Sequence, residues 1–135
     1  MPVDALIALQ ALVTKTATFN GAALILPGGT PRRGCVARVI YSAASNATGA
    51  NAVTFDIDVC YDGVPTLWNA DFFAPLAINL STTVQAGEIY IPFSISPQMV
   101  AGVITAPQIR LTATFSGAGT VPTITYQGDF MLFRP

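Results

Sequence analysis

Histidine is absent, lysine occurs once, and charge of either sign is scarce, with six basic and seven acidic residues in 135. An average globular chain is about one-quarter charged; here the share is 10%. A Ser-His-Asp or Cys-His site needs an imidazole to take the nucleophile's proton near neutral pH, so those chemistries are excluded. A Ser-Lys variant would rest on Lys15 alone, in strand-like sequence. The chain reads as a packing protein and not an enzyme, with no cofactor and no metal. Basic stripes are missing too. Net charge is −1 and the isoelectric point is near 4.9, which argues against nucleic acid as the partner.

Long apolar runs are also lacking, although 52% of residues are hydrophobic and mean hydropathy is +0.56. The longest, Leu6 to Val13, is broken by Gln10 and falls short of the ~18 residues of a membrane helix. No basic stretch precedes it, as a secretory signal would require. A membrane barrel of eight or more strands of ~10 residues would take most of the chain, so no membrane partner is expected. Cysteine occurs twice, at Cys35 and Cys60, too few for a disulfide framework. Both read as buried thiols that pack as small hydrophobes; one bridge would require their strands to be adjacent.

What is present is two-residue alternation. Val53, Phe55, Ile57, Val59 and Tyr61 share one parity, and Thr54, Asp56, Asp58 and Cys60 the other, the pattern of a half-buried strand. Asp62-Gly63 follows as a hairpin signal, with Leu67 opening the return strand. Cys35 to Ser42, Glu88 to Ile95, Gln108 to Ser116 and Thr123 to Phe133 read as further strands. Pro92 assigns its run to a sheet edge or bulge, and the last is a strand pair or one strand bent at Gly128. Val13 to Leu26 reads as strand interrupted at Asn20-Gly21. Between them Pro27–Gly34, Ala43–Asn51, Ser96–Pro107 and Gly117–Pro122 read as loops. The length suits one domain. Together these give an all-β, single-domain antiparallel β-sandwich or jelly roll of about eight strands over 13–135, preceded by an N-terminal arm or short helix over 1–12.

Candidate sites are few. Asp56 and Asp58, at i and i+2, place their Cβ atoms about 6.5–7 Å apart on one strand face. That stripe could hold Ca²⁺ or an acid/base pair; the plainer reading is a solvated face neutralised by Arg38 or Arg110 on neighbouring strands. Gly29 to Gly34 has the skeleton of a phosphate loop, but Cys35 stands where lysine is needed. Arg32 and Arg33 instead suit an electrostatic anchor on an acidic surface. Trp68, with Phe72 and Phe73 nearby, suits packing or, as a stacking platform, sugar binding. The apolar arm residues Leu6, Ile7 and Leu9, the Arg32–Arg33 pair and Trp68 are the expected interface. Asn46-Ala47-Thr48 and Asn79-Leu80-Ser81 match the glycosylation triplet at a frequency expected by chance in so Asn/Ser/Thr-rich a chain.

Three stretches carry a resemblance. They are Gln10-Ala11-Leu12-Val13-Thr14 continuing through Asn20-Gly21 and Leu24-Ile25-Leu26 to Gly28-Gly29; Ala86-Gly87-Glu88-Ile89-Tyr90-Ile91-Pro92; and Ile109 to Gly117 with Gly119-Thr120 and Phe130-Met131-Leu132. Together, over about half the chain, they resemble the tailed-phage capsid cement (decoration) proteins with a jelly-roll fold. The resemblance implies a non-enzymatic virion protein, assembled in the host bacterial cytoplasm. It would bind the major capsid protein on the outer shell as a homo-oligomer, most simply a dimer, and stabilise capsomer contacts. The alternative is a carbohydrate-binding jelly-roll module of a phage fibre or spike.

Overall fold

A computed structural model describes residues 3–25, 32–60, 68, 75–95, 98–100, 103–105 and 108–133. Eleven strands are present among them: β1 (Val3–Lys15), β2 (Phe19–Asn20), β3 (Leu24–Ile25), β4 (Arg32–Ser45), β5 (Asn51–Cys60), β6 (Leu76–Leu80), β7 (Gln85–Ile95), β8 (Gln98–Val100), β9 (Val103–Thr105), β10 (Gln108–Gly117) and β11 (Thr123–Phe133). One sheet has the order β1-β11-β4-β7; the other has β2-β10-β5-β6, with β3 also paired to β10. All pairings are antiparallel. With β2 and β3 taken as one interrupted strand and the small β8–β9 hairpin set aside, the two sheets are 1-8-3-6 and 2-7-4-5 in chain order. That is the strand order of a jelly roll.

Alternation builds the core. On β5, Val53, Phe55, Ile57 and Val59 are fully buried; on the paired β10, Ile109, Leu111 and Ala113 are too. Each large apolar side chain so buried contributes roughly 1.5–3 kcal/mol. The facing sheet supplies Ala37, Val39, Ile91, Ile124, Tyr126 and Phe130. Phe55 meets Tyr126 edge-on at 5.0 Å and joins the two layers. Gly128 pairs with Val39 on one side and Gln10 on the other. A Cβ there would lie 2.7 Å from Leu111 Cδ2, so glycine permits the close approach of the sheets.

Several expectations are corrected. No arm or short helix precedes the sandwich over the described part of 1–12, because β1 begins at Val3 and pairs with β11 as an edge strand. β11 runs as one strand through Gly128, and its register against β1 slips on both sides of the Gln10–Gly128 pair, between Ala8 and Val13. The return partner of β5 is β6, starting at Leu76; Asp62, Gly63 and Leu67 lie outside the described residues. Ser96–Pro107 contains the β8–β9 hairpin and is not wholly loop. Pro92 does lie on an edge strand, β7. Cys60 is buried on β5, in the sheet opposite the one whose β4 carries Cys35.

Tyr126 gives a pH test of this core. It is fully buried, and among the described residues its hydroxyl has no hydrogen-bond partner. Burial pushes its pKa from an ordinary 10.0 up to about 12. The folded state therefore favours the neutral phenol. That contribution is complete below the unfolded value and is lost as pH rises through the folded one. Unfolding free energy should fall between about pH 10 and 12. In Tyr126→Phe this fall should shrink, with stability at pH 7 unchanged or raised by about 1 kcal/mol; denaturant titration at both pH values measures it.

Candidate functional site

Four connections meet at one end of the sandwich: residues 16–18, 46–50, 81–84 and 118–122. The register brings them there, since Lys15 faces Ile124, Ser45 faces Thr123, and Gly117, Asn51 and Leu80 lie side by side. Backbone hydrogen bonds tie the loops together. Asn46 N–H donates to Ser81 C=O at 2.9 Å, Ala47 N–H to Thr120 C=O at 2.8 Å, and Thr120 N–H to Thr48 C=O at 2.8 Å. The Thr48 and Thr120 hydroxyls are 2.6 Å apart. Beneath them the Asn46 amide donates to Gly49 C=O and to Asn51 Oδ1, and Asn51 donates to Ser116 C=O. Asn46 is thus buried in the fold, and its glycosylation triplet is not presented.

None of the residues in these four connections is charged. Two valines stand out from them, Val84 at 67% and Val121 at 71% exposure. Val121 also has φ of 50°. A β-branched residue in the left-handed region is a genuine outlier, and such strain costs of order 1–3 kcal/mol. The loop bonds hold it there, directly before Pro122. An apolar residue is therefore presented, at a cost in stability, on a rigid neutral platform. Asparagine tolerates positive φ. Val121→Asn should raise stability by about 1 kcal/mol, read as a Tm increase of a few degrees, while weakening whatever contact the valine makes.

A second feature lies on the outer face of β5 and β10. Their register sets Asp58 opposite Arg110, Asp56 opposite Thr112 and Thr54 opposite Thr114; Asn20 of β2 flanks Thr112. These seven residues line an open depression of about 380 Å³. Arg110 donates through Nε to Asp58 Oδ2 at 3.1 Å, with Nη2 also at 3.1 Å. Its guanidinium lies 4.3 Å from the Trp68 ring centre. Asp56 Oδ1 accepts the Ile57 N–H at 2.8 Å, and Thr112 Oγ1 reaches the Asp56 carbonyl at 3.4 Å. Asp56 and Asp58 are only 4% and 3% exposed. The solvated acidic stripe expected from the sequence is thus a buried floor. Arg110 is its neutraliser; Arg38 pairs instead with Asp129 in the other sheet, at 3.0 Å. Among the described residues no group of three or more carboxylates or thiols could hold a metal ion.

The residues expected at an interface are dispersed. Leu9, 5% exposed, belongs to the core and is unavailable to a partner. Ile7 is half-buried against the core. The backbones of Leu6 and of Arg32–Arg33 lie near the opposite end from the loop cluster, facing Met131 and the Ile95 end of β7; their side chains are outside the described residues. Trp68 is occupied by Arg110 over the sheet. Sequence reasoning passed over Val84 and Val121. The available signal was an apolar residue inside a turn-rich segment, belonging to no strand parity.

No family model and no curated protein matches the chain. Among solved structures it is similar to a CBM4 structure, with 15% identity and a TM-score of 0.44, over 86% of this chain and 61% of that one. It is also similar to the N-terminal cellulose-binding domain of Cellulomonas fimi β-1,4-glucanase C, with 14% identity and a TM-score of 0.39, over 96% of this chain and 88% of that one. The chain spans about three-fifths of the length of the CBM4 structure.

Proposed function

We propose that this chain is a non-enzymatic decoration protein of a tailed-phage capsid, docking on the outer shell through its uncharged loop end. The observation that carries the reading is the strained, exposed Val121, with Val84 exposed in another of the same hydrogen-bonded, uncharged loops. Neutral, apolar surface suits the core of a protein interface, where charge is depleted and costly to bury. The three stretches that resemble capsid cement proteins support the major capsid protein as the partner. The scarcity of histidine and lysine supports a passive role. The second partner is another copy of this chain, most simply in a dimer. Two linked contacts then hold more tightly than either alone. On this reading the chain resides on the outer capsid surface after assembly in the host bacterial cytoplasm.

The test is binding of the purified chain to particles that lack it, measured by co-sedimentation across salt concentrations. Docking through the loop end gives saturable binding that changes little between low salt and 0.5 M salt. Binding that collapses with salt would move the contact to the Arg32–Arg33 end, because exposed charge pairs are screened within ~10 Å at 0.1 M. Absence of binding would remove the proposal.

A further inference from the structure

A sheet edge presents a row of unpaired N–H and C=O groups, and proteins guard such edges with short strands, proline, charge or bulges. Among the described residues every edge but one is guarded. β6 has five residues, β2 and β3 two each, and β8 and β9 three each. The long edge strand β7 carries Pro92, which has no N–H, and the exposed Glu88. β1 differs. It is 13 residues long and forms the other edge of the same sheet, where among the described strands it pairs with β11 alone. It contains no proline, and no charge lies between Asp4 and Lys15. Ala5 to Leu9 is apolar at every position. The register with β11 is unbroken from Ala5 to Ala8, and the slips come after it.

We propose that this open edge joins two copies of the chain, β1 pairing antiparallel with β1 of the second copy, so that two four-stranded sheets become one of eight. The inference rests on the second partner named above, another copy of this chain. A two-fold axis, the commonest symmetry of homo-oligomers, generates such a pairing from one strand. Residues opposite each other then share a face, so their numbers have the same parity. Centred on Ile7, the midpoint of the apolar stretch, the pairing sets Ala8 opposite Leu6 of the second copy and Ala5 opposite Leu9. Asp4 and Lys15 lie at opposite ends of β1 and neither meets its own counterpart, so no like charges face each other. The pairing uses both open edges at once, and the remaining edges are short or blocked. The assembly therefore closes as a dimer and does not grow into a fibre.

The test is sedimentation of the full chain across micromolar concentrations, where the dimer has twice the 14.1 kDa of the chain. Ala8 is exposed, so Ala8→Lys and Ala8→Glu should fold. Across the axis the two copies of position 8 are diagonal neighbours about 7–8 Å apart, within reach of long side chains. Each variant alone should raise the dimer dissociation constant about tenfold. An equimolar mixture of the two should regain the dimer, a rescue that misfolded chains would not show. Tyr90→Lys, on the opposite edge strand β7, should dimerise as the parent does. Hydrogen exchange should show β1 amides gaining protection as concentration rises, with β7 unchanged. A monomer at every concentration, dimers that persist in both Ala8 variants, or no recovery on mixing would overturn the pairing. So would protection of β1 that appears only on particles, which would assign the edge to the shell protein. A monomer that still binds particles would remove this dimer and leave the capsid reading standing; a β1 dimer that ignores particles would do the reverse.

Discussion

Val84→Asp combined with Val121→Asp is expected to reduce particle binding at least 100-fold while leaving the melting temperature within a few degrees of the parent chain. Both side chains are exposed, so the fold does not depend on burying them. At a docked interface each valine contributes on the order of 1.5 kcal/mol, and every 1.4 kcal/mol is tenfold in affinity. The introduced carboxylates add a desolvation cost at the interface core. Arg32→Glu with Arg33→Glu is the matched control at the opposite end of the sandwich. It should leave binding and its salt dependence unchanged if the loop end makes the contact. Were the arginine pair to carry the contact, this second variant would lose binding and the valine variant would not. Co-sedimentation of both variants with the same particles separates the two outcomes.

Arg110→Ala has the largest expected effect on stability. The Asp58 side chain is 5% exposed and that of Arg110 19%, and Asp56 lies close along the same strand. Removing one partner of a buried pair typically costs about 3–5 kcal/mol, a large part of the ~5–15 kcal/mol that holds a domain of this kind together. Arg110→Lys should recover part of the loss, since it retains charge but not the fork or its stacking on Trp68. Asp58→Asn in the Arg110→Ala background should recover part as well, because it removes the stranded charge. Urea unfolding of the parent chain, Arg110→Ala, Asp58→Asn and the double variant gives the coupling energy directly. Equal stability of Arg110→Ala and the parent chain would show that the carboxylates are satisfied without the arginine.

Much of the sandwich was legible because buried strands must alternate. Val53 to Val59 and Ile109 to Ala113 show the period plainly, and both runs form central strands. The pairing of Arg110 with Asp58 was within reach, since parity put both on outward faces. Their burial was not, because it depends on cover that includes Trp68, far from Arg110 in sequence. The start of β1 reads as an arm or short helix because Ala5 to Leu9 is apolar at every position and shows no two-residue period; its strand pairing with β11 is irregular, with register slips between Ala8 and Val13. The β8–β9 hairpin has three residues a strand, too short to display a period. Apart from the chance triplet Asn46-Ala47-Thr48, the loop end carried no motif. It exists through bonds such as Thr48 to Thr120, 72 residues apart, and such contacts leave no local mark in a chain.

The capsid reading is tested most directly by counting. Virions purified from cells carrying the genome that encodes this chain should contain hundreds of copies per particle by quantitative mass spectrometry, in fixed ratio to the major shell protein. A few tens of copies or fewer, as in a fibre or spike, or no copies in the purified particle, would contradict it.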